Sequence, residues 1–140
     1  MKSWIFPTNI KKFRIHDFLS SYNLIDFKQT RSAKVQVGDI VYLYCTLPEG
    51  RIVYKMKIEK INLSYSETID DAEYTLVSTL TSDSQKDCSF CRLRLIKSVD
   101  TDLLSLNNLR INGLKSCLQS QQGVKPCLLP YIEKCFEDFI

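Results

Sequence analysis

The side chains with the most direct chemical potential are the thiols. Cys88 and Cys91 form a CxxC, the spacing with which two thiolates reach one metal ion, and Cys45, Cys117, Cys127 and Cys135 complete a set of six. A zinc knuckle needs a second pair at matching spacing, and none follows, because residues 118–126 separate Cys117 from Cys127 and residues 128–134 separate Cys127 from Cys135. The single histidine, His16, lies far upstream. Reduced thiols with no metal and no cofactor are the expectation. Zinc or redox chemistry at the CxxC is the competing reading, which zinc quantification on protein purified without added metal decides.

The other catalytic constellations fall by elimination. His16 stands in the run RIHD inside an expected helix, where a solvated or structural role outweighs general-base work. The glycines at 38, 50, 113 and 123 never cluster into a phosphate cradle. No GxSxG elbow is present. Asp70 and Asp71 sit in a polar, acidic stretch that reads as a solvated turn rather than an acid/base pair. The chain therefore reads as a binding module and not as an enzyme. Basic residues interleave with aromatics at Lys11, Lys12, Phe13 and Arg14, at Phe27, Lys28 and Arg31, and at Tyr54, Lys55 and Lys57. Cations meet phosphates and flat rings meet bases, so this mixture suits nucleic acid, although lysines on the wet face of a strand also serve solvation alone.

The elements that must position these groups follow from periodicity. Residues 2–6 form a short strand that Pro7 ends, and residues 12–22 an amphipathic helix with Phe13, Ile15, Phe18, Leu19 and Tyr22 on one side. A brief extended piece covers 25–29. Residues 40–46 (IVYLYCT) are almost continuously apolar, which indicates burial on both faces. After a loop at 47–50, residues 51–62 alternate as a long strand with one wet face, which completes a hairpin. Residues 64–71 are loop, 73–80 a further strand and 82–87 a polar excursion. Strand returns at 90–99, with Arg92, Arg94 and Lys97 alternating against Phe90, Leu93, Leu95 and Ile96. A helical turn at 103–109, a stop at Gly113 and a terminal helix at 126–139 finish the chain. The sum is an α+β fold on a small, strongly curved sheet or barrel.

Composition sets the outer bounds. The chain has 140 residues, 44% apolar and 25% charged, with 19 basic and 16 acidic side chains for a net charge of +3. One domain spanning 1–140 is the expectation, with a self-sufficient core. A charge this mild excludes a strongly cationic coat. Apolar runs fall far short of the roughly 20 residues needed to cross a bilayer, so no membrane partner is expected. The first twenty residues carry Lys2, Lys11, Lys12, Arg14, His16 and Asp17 and lack the apolar core of a signal peptide, which points to the cytoplasm and away from three disulfides of a secreted domain.

The order of motifs resembles a known family. WIFPTN at 4–9, DFKQ at 26–29, VGDIVYLY at 37–44, Pro48 with IVYKMKI at 52–58, and RLRLI at 92–96 together resemble the EVE domains of the PUA-like superfamily, most closely those fused to restriction nucleases. Residues 106–114 and QQGV at 121–124 continue it, and 63–88 is its weakest stretch. The resemblance implies a PUA-like barrel of five or six strands with two to four peripheral helices. It also implies a pocket for one flipped, chemically modified nucleobase in DNA or RNA, as the related YTH domains accept methylated adenine. A nuclease domain or subunit is the implied partner, with this chain either a whole small protein or the front of a larger one.

Carried onto this sequence, the resemblance nominates Thr8, Asn9, Phe27, Gln29, Tyr44, Pro48, Gln121 and Gln122 for the base pocket, and Lys28, Arg31, Lys55 and Lys57 for phosphates. Phe27 takes a position where the family often has tryptophan and is the candidate stacking wall, with core packing as the competing role. Asn9 both donates and accepts, so it suits reading a base edge, with an Asx-type loop cap as its alternative. Tyr44 is either a pocket or a core aromatic. The alternative function is a PUA-like protein-interaction or small-ligand module, which an acidic rim of Glu49, Asp70 and Asp71 would favour.

Overall fold

The run IVYLYC is buried almost throughout because it forms a central strand of a sheet covered on both faces. The computed structural model describes residues 2–30, 34–69, 72–74 and 88–138. Among these, the elements are β1 (Ser3–Thr8), α1 (Ile15–Ser21), β2 (Leu24–Lys28), β3 (Ile40–Cys45), β4 (Arg51–Leu63), β5 (Phe90–Ser98), α2 (Leu106–Ile111), β6 (Gln122–Gly123) and α3 (Leu129–Asp138), with 3-10 turns at Tyr65–Glu67, Ala72–Tyr74 and Asp102–Leu104. One six-stranded mixed sheet has the order β2-β5-β4-β3-β1-β6. β1 and β3 are parallel, while the β3–β4, β4–β5, β2–β5 and β1–β6 pairs are antiparallel. This is the α+β class read from the periodicity.

The sheet curls strongly. Phe6 on β1 meets Phe27 on β2 with ring centroids 6.0 Å apart, although three strands lie between theirs in the sheet order. Inside the curl, Trp4, Phe6, Leu43, Cys45, Met56, Ile58 and Leu93 pack with Ile15, Phe18 and Leu19 of α1. On the outer face, Ile5, Tyr42, Tyr44 and Ile52 pack against Leu104, Leu109, Leu118, Leu128, Ile132 and Phe136. β3 contributes to both layers, so its alternating side chains are all apolar. Edge strand β2 is held to β5 by Asp26, whose nearly buried carboxylate accepts from Arg92 Nε at 2.9 Å and Arg92 Nη2 at 3.1 Å.

Four expectations need correction. The barrel does not close through backbone pairing, since no ladder joins β2 to β6 among the described residues. Pro7 does not end β1. Thr8 faces β3, its carbonyl accepting from Thr46 N, whereas Ser3 faces β6, its carbonyl accepting from Val124 N. By alternation Pro7 also points to the β6 side, and β6 pairs only Trp4 and Ile5, so no partner misses the absent N–H. Of the strand expected at 73–80, residues 73–74 belong to a 3-10 turn, while 75–80 lie outside the described residues. β6, read as a polar loop, is a two-residue strand.

Candidate functional site

The parallel strands β1 and β3 end together at Thr8 and Cys45, with the first residue of β4, Arg51, beside them. Sheet ends of this kind collect ligand sites, because the chain leaves each strand there and the loops splay apart. Thr46, Leu47, Pro48 and Glu49 make the turn to β4, with the Leu47–Pro48 peptide cis. Gly50 takes φ +63°. A Cβ there would lie 3.0 Å from Leu47 Cδ2 and 3.6 Å from the Tyr44 hydroxyl, so glycine lets the turn fold against Tyr44.

Helix α2 docks on this turn. Leu106 N donates to Gly50 O at 3.0 Å, and Ser105 caps the helix by accepting from Asn108 N at 3.3 Å. Leu106 and Arg110, one helical turn apart, therefore face the same space. Across it, Asn9 Oδ1 accepts from Lys11 N at 2.9 Å, an Asx turn that brings Lys11 back over the strand end. Gln122 holds the third wall, donating from Nε2 to Cys117 O at 2.9 Å and accepting from the Ser116 hydroxyl.

The result is a cleft of about 380 Å³ lined by Asn9, Lys11, Tyr44, Thr46, Leu47, Leu106, Arg110, Cys117, Leu118 and Gln119. Its walls are leucines, its charged members are Lys11 and Arg110, and no carboxylate is among its lining residues. Tyr44 is 4% exposed. Burial pushes its phenol above the ordinary value, the positive Arg110 pulls it partly back, and Cys45 adds a smaller upward push. The phenol is thus a neutral hydroxyl beside a guanidinium, a pairing that suits an anionic or polar ligand edge.

On the inner side of the same sheet end lies a connected polar group. His16, in the first turn of α1, sets Nδ1 2.5 Å from the Tyr54 hydroxyl and Nε2 2.5 Å from Glu49 Oε1. Glu49 Oε2 accepts from Arg51 Nε at 3.1 Å, and Arg51 also pairs with Asp100 at 2.6 Å and Asp102 at 3.6 Å. Glu49 is thereby held in this network and is not among the residues lining the cleft beside Tyr44.

The residues nominated from the sequence divide between places. Asn9 and Tyr44 line this cleft; Thr8 is buried beside it, and Pro48 is exposed on the adjoining turn. Phe27 packs on Phe6 and the inner core. Gln29 lies at the opposite end of the sheet, where it accepts from Asn62 N at 2.7 Å. There it lines a second cleft of about 680 Å³ together with Lys28, Lys34 and Asn62. Gln121 is taken up by backbone groups, donating to Lys28 O at 2.7 Å and accepting from Thr30 N at 3.2 Å.

The phosphate candidates do not converge on Phe27. Lys28 lines the second cleft, Lys57 a groove with Lys2 and Lys34, and Lys55 pairs with Lys97 across β4 and β5. Arg31, Asp70 and Asp71 lie outside the described residues. Sequence reasoning missed the roles of Leu106 and Arg110, whose only signal was the spacing of α2, and of Leu118, which lies beyond that helix and carried no signal. Lys11 was noted as basic without a place.

No family model and no curated protein matches the sequence. Solved structures do match in fold. An ASCH structure from Zymomonas mobilis superposes with TM-score 0.67 over 95% of this chain and 94% of that one at 10% identity. The DUF55 domain of human thymocyte nuclear protein 1 gives 0.62 over 96% and 98% at 13% identity. A hypothetical protein from Leishmania major gives 0.63 over 99% and 96% at 16% identity. The chain accordingly shares its fold with these ASCH and DUF55 structures.

Proposed function

We propose that this chain binds nucleic acid and takes one extruded, chemically modified base into the cleft at the end of β1 and β3. The observation that carries the reading is the cleft's composition: leucine walls, two cations, and the Asn9 amide and Tyr44 hydroxyl, without a lining carboxylate. A volume of about 380 Å³ falls within the range of roughly 300–1,000 Å³ typical of small-molecule sites. Leu47 and Leu106 suit the faces of a flipped base, which repays a few kcal/mol of unstacking by burial and edge hydrogen bonds. A methyl substituent against such walls adds about 0.8 kcal/mol. Asn9 keeps its Nδ2 donor for the base edge, since only its Oδ1 is engaged among the described residues. Lys11 and Arg110 suit the flanking phosphates. The similarity in fold to the ASCH and DUF55 domains supports this reading as analogy only. The chain binds, and strand cleavage belongs to a partner nuclease of a modification-dependent restriction system.

The test is a titration against oligonucleotides carrying methylated or hydroxymethylated cytosine or methylated adenine, in DNA and RNA. One modification is expected to bind several-fold more tightly than its unmodified control. Lys11→Ala and Arg110→Ala should weaken all strands and each flatten the salt slope by about one unit. Equal affinity across the panel, unchanged by either substitution, refutes the proposal.

A further inference from the structure

On the inner side of the same sheet end, three side chains from separate parts of the chain present one imidazole nitrogen, one thiol sulfur and one carboxylate oxygen to a common point. His16 comes from α1, Cys45 from the last position of β3, and Glu49 from the turn to β4, and their ligand atoms all lie within 4.8 Å of one another. We propose that His16 Nε2, Cys45 Sγ and Glu49 Oε1 form a binding site for a divalent, borderline-soft cation of the zinc class, with water in the fourth position.

The donor set selects the metal class. A thiolate beside an imidazole favours zinc over magnesium or calcium, which take oxygen shells. Three protein ligands with an open fourth position match the pattern of a reactive zinc site rather than a closed structural one. The site has access, because the His16 side chain is 45% exposed, while Cys45 forms its buried floor. Tetrahedral ligands at about 2.0–2.1 Å from zinc stand about 3.3 Å apart. Seating the ion thus requires the 2.5 Å His16–Glu49 contact to widen by about 0.8 Å.

The surroundings are organised as a metal's outer shell would be. The Tyr54 hydroxyl lies 2.5 Å from His16 Nδ1. With Nε2 on the metal, the ring carries its proton on Nδ1 and donates it to Tyr54, which orients the imidazole. Arg51 Nε occupies Glu49 Oε2 at 3.1 Å, so Oε1 alone remains for coordination. Arg51 is itself shared with Asp100 at 2.6 Å and Asp102 at 3.6 Å, so its charge is not given to Glu49 alone. Cys45 is fully buried, and metal binding there releases the thiol proton to solvent as the thiolate bonds the ion.

Cobalt and zinc titration of the full chain, stripped of metal with a chelator, tests the site. One equivalent of Co²⁺ should produce a thiolate-to-cobalt charge-transfer band with tetrahedral d–d bands, and Zn²⁺ should abolish both. Cys45→Ser removes the sulfur band but alters a buried position. His16→Ala changes a half-exposed side chain, and with the fold verified by circular dichroism it should weaken Co²⁺ binding at least tenfold. Glu49→Gln should do likewise. Cys88→Ser, which breaks the CxxC, should leave the band unchanged. Absence of a thiolate band in the unaltered protein, an unchanged Co²⁺ affinity in His16→Ala, or a band lost in Cys88→Ser overturns the assignment. None of these outcomes depends on nucleic-acid binding.

Discussion

Gln121 donates its side-chain amide to the main-chain carbonyl of Lys28 at 2.7 Å, across the seam where the curled sheet fails to close. Its own carbonyl accepts from Thr30 N at 3.2 Å, so one primary amide stands in for the peptide group that a further strand pairing would supply. The Thr30 hydroxyl donates to the same oxygen at 3.3 Å, and Gln121→Ala should lower stability by about 1–3 kcal/mol, the net worth of three partly exposed hydrogen bonds. Hydrogen exchange at the Thr30 amide should accelerate, and Gln121→Asn, shorter by a methylene, should not restore it. Unchanged protection at Thr30 in Gln121→Ala would show that the seam is held by other contacts.

Phe27 packs against the inner core. Its ring meets Phe6 edge-on at 6.0 Å, inside the curl. Phe27→Ala should cost about 2–3 kcal/mol, less than a fully buried phenylalanine because the site is half-buried. Urea unfolding reads the loss. Among folded molecules, the affinity ratio for modified over unmodified strands should stay at the wild-type value, and a collapsed ratio would return Phe27 to the binding site.

Asp39 ties the start of β1 to the turn before β3 and carries a signed pH dependence. Its carboxylate accepts from Lys2 N, Trp4 Nε1 and Gln36 N, each at 3.0 Å. Burial alone would raise its pKa, but the three donated hydrogen bonds and the terminal ammonium outweigh it and hold the pKa below the ordinary 3.8. A depressed carboxylate stabilises the fold above its unfolded pKa, and that contribution disappears as pH falls through the folded value. Asp39→Asn should therefore be less stable than wild type by about 1–3 kcal/mol at pH 7, with the gap narrowing below about pH 4. Trp4 is the only tryptophan, so its fluorescence follows the unfolding directly. A gap independent of pH between 7 and 3 contradicts this assignment.

Gly113 ends α2 at φ +121°, with Leu114 N donating back to Leu109 O at 2.9 Å. A Cβ on Gly113 would stand 2.8 Å from Cys127 Sγ. Gly113→Ala should destabilise by about 1–3 kcal/mol through backbone strain and this overlap together. Adding Cys127→Ala should recover the steric part and leave the strain, and thermal unfolding of the two variants separates them. Equal losses in both would assign the whole effect to backbone conformation.

Much of the sheet is readable along the chain. The unbroken apolar run at 40–46 predicts a strand covered on two faces, and β3 feeds both core layers. Alternation at 51–62 predicts the long strand that β4 is, and Gly113 marks the end of α2. β6 escapes such reading, because two polar residues carry no period and pair only where β1 offers free groups at Trp4 and Ile5. Pro7 misleads for a related reason: whether a missing N–H matters depends on which neighbour it would have faced.

The candidate sites divide along the same line. Local periodicity determines that Phe27 alternates with Lys28 and that Lys55 and Lys57 share a face, since side chains on a strand switch sides at every residue. It does not determine which face turns inward: the curl sets Phe27 on Phe6, while Lys28 and Lys57 line adjoining clefts that share Lys34 and Gln36. Asn9, Lys11 and Tyr44 join Arg110 because α2 docks on the Gly50 carbonyl. His16, Cys45 and Glu49 meet because α1 packs over the end of β3. By itself the sequence determined the longer strands, the helices and an ordered set of motifs, all expressed in neighbouring residues. Only the tertiary structure decided which distant side chains face one another, because that depends on register, crossover and curl, where a shift of one residue exchanges the two faces of a strand.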